Sequence, residues 1–404
     1  MAPLLIPLGT IGSIPMGASE WIAASLGSGY GSAVTSLSGA TYIQTYGSTV
    51  KLNEVGKFVW GYTFSGSSNK QGMAIDANEN VYISGGASLV ASFTKDGALR
   101  WQREVGTGIS WDSIDVDSTG TYVYVAGSNS TYGHIAKLDA TTGTAVWKRA
   151  ATTRVEFVGV SVSPDGQSIS ATGYISNGTT LDSHFVKITS AGSVSFQKRL
   201  SYGTSNYAFS QSTAFATTTS NVAVSGFQNS PRRNFVVGFT SAGNTSFSIK
   251  SGASGYLQND YGTIGFDPSG KLYLGFNNIY NNYGPLDWGS GYTRFTGSTP
   301  EKTVTFRSSS GSLGVLRLSS SEIDSTIGLM GTGGIIKVDG QNPPPAGTYG
   351  NYTVYHDPDN YFFESSGLSI YSDSVSYIDL GTATTVSSYS VVPFTSSTTV
   401  TYIK

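Results

Sequence analysis

Apolar and polar residues alternate along this chain in short runs separated by glycine, aspartate, asparagine and serine. Val81-Tyr82-Ile83-Ser84-Gly85, Tyr122-Val123-Tyr124-Val125-Ala126-Gly127 and Val222-Ala223-Val224-Ser225-Gly226 are rich in β-branched and aromatic residues. Ile114-Asp115-Val116-Asp117 and Val160-Ser161-Val162-Ser163 alternate strictly. Successive strand side chains point to opposite faces, so these runs predict half-buried strands. The turn dipeptides Thr119-Gly120, Asp165-Gly166 and Ser269-Gly270 separate strand pairs and predict hairpins. No stretch holds a helical period over a window of about eleven residues.

A longer period overlies the alternation. A glycine is followed four residues later by an aromatic at Gly17-Trp21, Gly56-Trp60, Gly97-Trp101, Gly143-Trp147, Gly192-Phe196 and Gly243-Phe247. A seventh copy keeps Phe306 but has Lys302 in the glycine's place. The steps between these aromatics are 39, 41, 46, 49, 51 and 59 residues. Such a period marks one supersecondary unit repeated with loop insertions. Ahead of the glycine stands an apolar run around one basic residue, as in Val50-Lys51-Leu52, Ala136-Lys137-Leu138, Val186-Lys187-Ile188 and Ile336-Lys337-Val338. Each unit reads as four strands, which predicts an all-β fold: a seven-bladed β-propeller of four-stranded blades.

The chain enters on a lone outer strand, residues 19–26, and its last inner strands end near Asp339 with no aromatic following at the usual spacing. The N-terminal strand is therefore expected to complete the last blade and remove the open edge. Trp21, Trp60, Trp101, Trp147, Phe196, Phe247 and Phe306 are the expected ring-closure and blade-core residues. The degenerate unit between residues 300 and 340 leaves a six- or eight-bladed ring open. Four segments result: an apolar, proline-spaced docking arm (1–16), the propeller (17–340), a proline linker (341–345) and a small Ser/Thr/Tyr-rich β extension (346–404). That extension is marginal as an independent domain and is expected to pack on the propeller or on a copy of itself.

Composition narrows the function. Only 12% of the 404 residues are charged, the net charge is −2, and the 23 lysines and arginines are scattered. No basic stripe exists to neutralise phosphates, which argues against nucleic acid as a partner. The first residues are apolar but lack a basic start and are broken by Pro3, Pro7 and Pro15, a poor signal peptide and too interrupted for membrane insertion. There are no cysteines, so disulfides and thiolate metal sites are excluded.

Candidate chemistry is sparse. His134 and His184 occupy the same repeat position, which favours a structural role. His356, Asp357, Asp359 and Glu364 cluster around Pro358, where calcium is conceivable but a solvated turn is favoured. Asp76, Asp115, Asp117, Asp165 and Asp267 fall at blade turns and read as turn caps. No catalytic, cofactor-binding or metal residue is assigned, and no cofactor is expected. Tyr280, Tyr283 and Trp288, in an Asn/Tyr-rich stretch, are candidate surface glycan contacts.

The unit Gly72 to Arg103, with its Ala74-Ile75-Asp76, Val81-Tyr82-Ile83-Ser84-Gly85 and Gly97-x-x-x-Trp101-x-Arg103 marks, resembles bacterial SBBP propeller repeats, as does Ile114 to Arg149. The start Pro7-Leu8-Gly9-Thr10-Ile11-Gly12 with Trp21-Ile22-Ala23-Ala24, and the exit Gly347-Thr348-Tyr349-Gly350-Asn351-Tyr352-Thr353, resemble propeller proteins of marine and cyanobacterial tailed phages. The resemblance implies a non-enzymatic structural virion protein, of tail, fibre or other exterior, assembled in the host cytoplasm in multiple copies. It would contact other virion proteins through the arm and host-surface glycan through loops or tail. The alternatives are a carbohydrate-binding lectin, a secreted or cell-surface bacterial protein, and a propeller enzyme of quinoprotein or sialidase type. The last needs converging cationic groups, and the only adjacent arginine pair is Arg232-Arg233.

Overall fold

The computed structural model describes residues 21–24, 32–35, 38–45, 48–64, 72–86, 88–176, 180–203, 207–217, 219–229, 232–251, 263–267, 269–277, 289–308, 326–331, 334–339, 342–343, 345–349, 352–356, 363–386, 390–395 and 399–402. Strands, turns and bends account for the secondary structure of these residues, with no helix among them. The first strand is β1 (Trp21–Ala24). Sheet I is then built from β2 (Ser32–Thr35), β3 (Thr41–Thr45), β4 (Ser48–Leu52) and β5 (Phe58–Phe64). Sheet II follows with β6 (Gly72–Ile75), β7 (Val81–Ser84), β8 (Leu89–Phe93) and β9 (Leu99–Glu104). Sheet III contains β10 (Ser110–Val116), β11 (Tyr122–Ser128), β12 (Gly133–Asp139) and β13 (Ala145–Ala151). Sheet IV contains β14 (Val155–Val162), β15 (Ser168–Ser176), β16 (Leu181–Thr189) and β17 (Val194–Ser201).

The meander continues. Sheet V holds β18 (Ala208–Phe215), β19 (Val222–Asn229), β20 (Arg232–Phe239) and β21 (Thr245–Ser251). Sheet VI holds β22 (Thr263–Phe266), β23 (Leu272–Asn277), β24 (Gly289–Thr296) and β25 (Thr299–Ser308). In sheet VII, β26 (Thr326–Gly331) pairs with β27 (Gly334–Asp339), and β27 pairs with β1 in the register Trp21↔Lys337 to Ala24↔Gly334. The first described strand thus shares a sheet with strands from more than three hundred residues later.

The last part of the chain, expected to pack on the propeller or on a copy of itself, pairs into all seven sheets. It forms β28 (Gly347–Tyr349), β29 (Tyr352–His356), β30 (Phe363–Ser365), β31 (Ser369–Ser372), β32 (Tyr377–Asp379), β33 (Thr385–Val386), β34 (Val391–Phe394) and β35 (Thr399–Tyr402). Strand β29, with β28 outside it, pairs with β25 of sheet VI; β30 joins sheet V, β31 sheet IV, β32 sheet III, β33 sheet II, β34 sheet I and β35 sheet VII. The chain travels back past every sheet in reverse order, adding one or two outer antiparallel strands to each. Sheets I to V are thus each a four-strand meander plus one belt strand, sheet VI carries two, and sheet VII joins β26, β27, β1 and β35. Pro393, which has no N–H to donate, sits in β34 at the outer edge of sheet I, where proline is tolerated.

The core lies between sheets. Tyr42, Trp60, Met73, Val81 and Phe93 fill the space between sheets I and II, and Tyr124, Trp147, Phe157, Ile169 and Val186 that between III and IV. First strands also meet directly: β2 contacts β6, β6 contacts β10, β10 contacts β14, β14 contacts β18, and β18 contacts β22. Strand β2 also contacts β26, which brings sheet VII against sheet I. Buried alternate faces of twisted sheets thus pack on their neighbours, as the residue alternation requires.

Candidate functional site

The repeat signature resolves into a contact between neighbouring sheets. Trp60, Trp101 and Trp147 lie on the fourth strand of sheets I to III and are buried. Their indole Nε1 groups donate to Lys95 O, Ala140 O and Ser190 O, each at 3.0 Å, in the turn between third and fourth strands of the following sheet. The glycine of that turn lies on the ring. Gly97, Gly143, Gly192 and Gly243 have φ of 89°, 72°, 85° and 85°. A Cβ on Gly143 would sit 2.5 Å from Trp101 Cε3, and one on Gly243 would sit 2.8 Å from Phe196 Cγ. So the glycine does not pair with the aromatic four residues after it. It covers the aromatic of the preceding unit.

The central lysine serves the same junction. Lys51 Nζ donates to Lys95 O at 2.9 Å and Lys137 Nζ to Ser190 O at 3.2 Å, the carbonyls already accepting from Trp60 and Trp147. Where phenylalanine replaces tryptophan, Lys187 Nζ alone reaches that turn, at Ser241 O, and also donates to Ser220 O between the first and second strands, both at 3.3 Å. Lys137 also lies 3.6 Å above the Tyr122 ring, a cation–π contact. Burial depresses Lys137 and Lys187 below the ordinary lysine value. Sheet II has Ser92 at this position, and Arg100 supplies the cation, donating to Ser92 Oγ at 2.9 Å and Tyr82 Oη at 3.0 Å.

Register sets Phe306 apart from the other repeat aromatics, although it is a buried core residue. The third-strand residue opposite the aromatic is Lys51 for Trp60, Lys137 for Trp147 and Lys187 for Phe196, each beside a bulge. In sheet VI the bulge falls after Arg294, and its partner is Lys302, not Phe306. Phe306 is fully buried four residues further along β25, opposite Ser290. Sequence spacing slipped because the left-handed turn glycine here is Gly297, five residues before Lys302. Phe196 and Phe247 are half-buried and pack against the clusters of sheets IV–V and V–VI. Of Trp21 only the backbone pairing is described.

The aspartates are held by backbone. Asp76 accepts from the amides of Asn78 and Asn80, both 2.9 Å, and from Tyr82 Oη at 2.9 Å. Asp117 accepts from the Thr121 and Tyr122 amides, and Asp267 from the Ser269 and Lys271 amides and Tyr273 Oη. Asp165 accepts from the Gln167 amide. Asp115 instead bridges sheets, accepting from the Val162 amide at 2.8 Å.

The two equivalent histidines differ. His184 is fully buried, with Nδ1 2.8 Å from Asp373 Oδ2 and Nε2 2.9 Å from Tyr377 Oη. Arg199 Nε also donates to Asp373 Oδ2, at 3.4 Å. Burial lowers the His184 pKa and outweighs the raising effect of Asp373. Burial pushes Asp373 upward, but the His184 hydrogen bond, the Ser374 amide and Arg199 overcome it and hold the carboxyl at about 2. The network thus assigns a neutral imidazole donating Nδ1–H to the carboxylate and accepting the Tyr377 hydroxyl. Burial and Asp373 push Tyr377 far above the ordinary tyrosine value, so it stays protonated. This cluster holds the belt against sheet IV. His134, in contrast, is buried against Trp111 with neither ring nitrogen hydrogen-bonded among the described residues. Burial first, and Lys148 second, lower its pKa to about 4.

The remaining candidates do not converge. Arg232 and Arg233 lie on β20, the third strand of sheet V, not on the first strand, β18. His356 ends β29 beside β25. No group of three or more His, Cys, Asp or Glu that could hold a metal is found among the described residues. Likewise no described helix is long and apolar enough to cross a membrane, which leaves β-barrel insertion unaddressed. The arm at residues 1–16, Asp357, Asp359, Tyr280, Tyr283 and Trp288 lie outside the described residues. The belt anchor at Asp373 and Tyr377 was missed by sequence reading; its only signal was the repeat-equivalence of His134 and His184.

Comparison with known proteins supports a propeller repeat protein. The sequence profile of the PQQ_2 family, described as outer membrane protein assembly factor BamB, matches residues 15–153 and 46–254. No curated protein sequence matches the chain. Among solved structures, the β-propeller domain of Cps50 (Swd1) from Myceliophteria thermophila is similar with a TM-score of 0.56 at 10% identity, covering 79% of this chain and 98% of that one. Kuenenia stuttgartiensis hydrazine synthase is similar with a TM-score of 0.51 at 13% identity, covering 67% and 78%. At such identities the likeness concerns the fold alone.

Proposed function

The chain belongs to the PQQ_2 family of propeller repeats, and we propose that it is a non-enzymatic interaction platform: a closed seven-bladed ring serving as a structural exterior component of a tailed-phage particle. The seven sheets are the blades, and β1 closes the ring by completing sheet VII. The observation carrying the non-catalytic reading is where the reactive residue types go. Lysines bind turn carbonyls, aspartates bind turn amides, and His184, Asp373 and Tyr377 are enclosed by the belt. A general acid or base must reach a substrate proton, and these groups face protein. A family described by an assembly factor favours the same class of role, in which a rigid ring presents loops to other proteins. The phage assignment rests on the resemblance of the arm and of the exit from the ring.

Mass spectrometry of purified particles from the source culture tests the location. The chain is expected among the particle proteins; its recovery only as a free cellular protein would remove the virion reading. Deleting residues 2–16 is expected to leave a folded ring that no longer enters particles. Specific glycan binding lost on changing Tyr280, Tyr283 and Trp288 would instead favour a lectin.

A further inference from the structure

We propose that the belt strands β28 to β35 are a strap that closes after the meanders have formed and sets the rate at which their sheets separate. Its path is the first ground. The belt strands pair in turn with sheets VI, V, IV, III, II, I and VII, so one run of chain joins each sheet to the next. Its last strand, β35, pairs with β1 in the register Trp21↔Tyr402, so the sheet in which the two ends of the ring meet is also the one the strap finishes on.

The second ground is what the crossings insert. Phe363 packs into the cluster between sheets V and VI, its ring 4.8 Å from that of Phe295. Leu368 and Ile370 enter the cluster between IV and V, Val375 and Tyr377 that between III and IV, and Val391 that between I and II. Two sheets sharing such a wedge cannot separate without exposing it. Polar contacts fix the crossings: Gln197 Nε2 donates to Val375 O at 3.0 Å, Lys148 Nζ to Ala383 O at 2.5 Å, and the His184 cluster grips Asp373 and Tyr377.

The third ground is sequence distance. Belt contacts join residues 118 positions apart at Ser248–Ser366 and 329 apart at Thr63–Val392. Each meander strand of sheets I to V, by contrast, pairs with a neighbour close in sequence. Short belt strands gain little until the edges they pair with exist, and closing long loops costs entropy, so belt contacts form late. Interactions absent from the folding transition state slow unfolding without speeding folding. The strap is therefore a kinetic lock, independent of what the ring's faces bind.

Unfolding and refolding rates in denaturant test this. A chain ending after residue 346 is expected to unfold roughly 100-fold faster than the full chain while refolding within about threefold of it. Equal unfolding rates would overturn the proposal. Should the shortened chain not fold, Thr63→Cys with Val392→Cys in the full, otherwise cysteine-free chain decides the matter. These residues are register partners across β5 and β34. The oxidised protein is expected to unfold about 10-fold more slowly than the same protein reduced. Identical rates, or failure of the pair to oxidise, would overturn it.

Discussion

At the scale of single residues, glycine and tryptophan form one joint contributed by two units. Gly143 needs a left-handed backbone and also lies flat on Trp101, whereas Gly108, with φ of 68°, has nothing within 4 Å of a would-be Cβ. Gly108→Ala should therefore cost only the handedness penalty, about 1–2 kcal/mol. Gly143→Ala should add overpacking of about 1–3 kcal/mol. Denaturant melts of the two variants check the difference, and equal losses would contradict the joint. His134 offers a pH test. Its folded pKa of about 4 lies below the ordinary 6.5, so the native state binds the proton more weakly than the unfolded chain. The associated stability is full above about pH 6.5 and declines as pH falls toward about 4. His134→Phe should remove that part of the slope of Tm against pH, at little cost near neutrality because no hydrogen bond is lost. The glycine and aromatic positions were legible in sequence because their spacing repeats. Their partners were not, since a period says where a residue sits within its unit and not which neighbour it meets.

At the scale of elements, strand alternation and turn dipeptides marked the meanders well, because each hairpin's signal is local. The belt left no such signal. Its strands are two to five residues long and pair with edges whose sequences lie far upstream, in reverse order. Alternation of Tyr371, Val375 and Tyr377 with serines and aspartate showed strands but could not show their partners. Sheet VI shows the converse failure: a one-residue change in the turn carried the glycine-plus-four rule past Lys302 to Phe306. How the belt docks can be tested at one edge. Gly61 lies under the Phe394 ring, where a Cβ would be 2.6 Å from Cζ, and Phe394 also faces Phe58 at 5.7 Å. Gly61→Ala and Phe394→Ala should each raise hydrogen exchange in residues 391–394, whereas the double variant should cost less than the sum of the two. Strict additivity would show that the two residues do not share a contact.

At the scale of the whole molecule, the first and last described strands come together in one sheet. Strand β1 pairs with β27 on one side and β35 on the other, so the first and last described strands both belong to sheet VII. The lone N-terminal aromatic and the missing final one made the β1–β27 half of this arrangement legible. Strand β35 was not, because nothing near Thr399–Tyr402 matches the repeat. The belt strands pair along one edge of each sheet, beside the fourth meander strand in sheets I to VI and beside β1 in sheet VII, which leaves fewer open strand edges. The most direct measurement is disulfide mapping of Ile22→Cys with Ile336→Cys, directly opposed residues of β1 and β27, in a chain with no other cysteine. The account predicts an intramolecular bond in the folded monomer, found by mass spectrometry, and an open ring only on reduction and denaturation. Two free thiols under oxidising conditions, or bonds formed only between molecules, would contradict it.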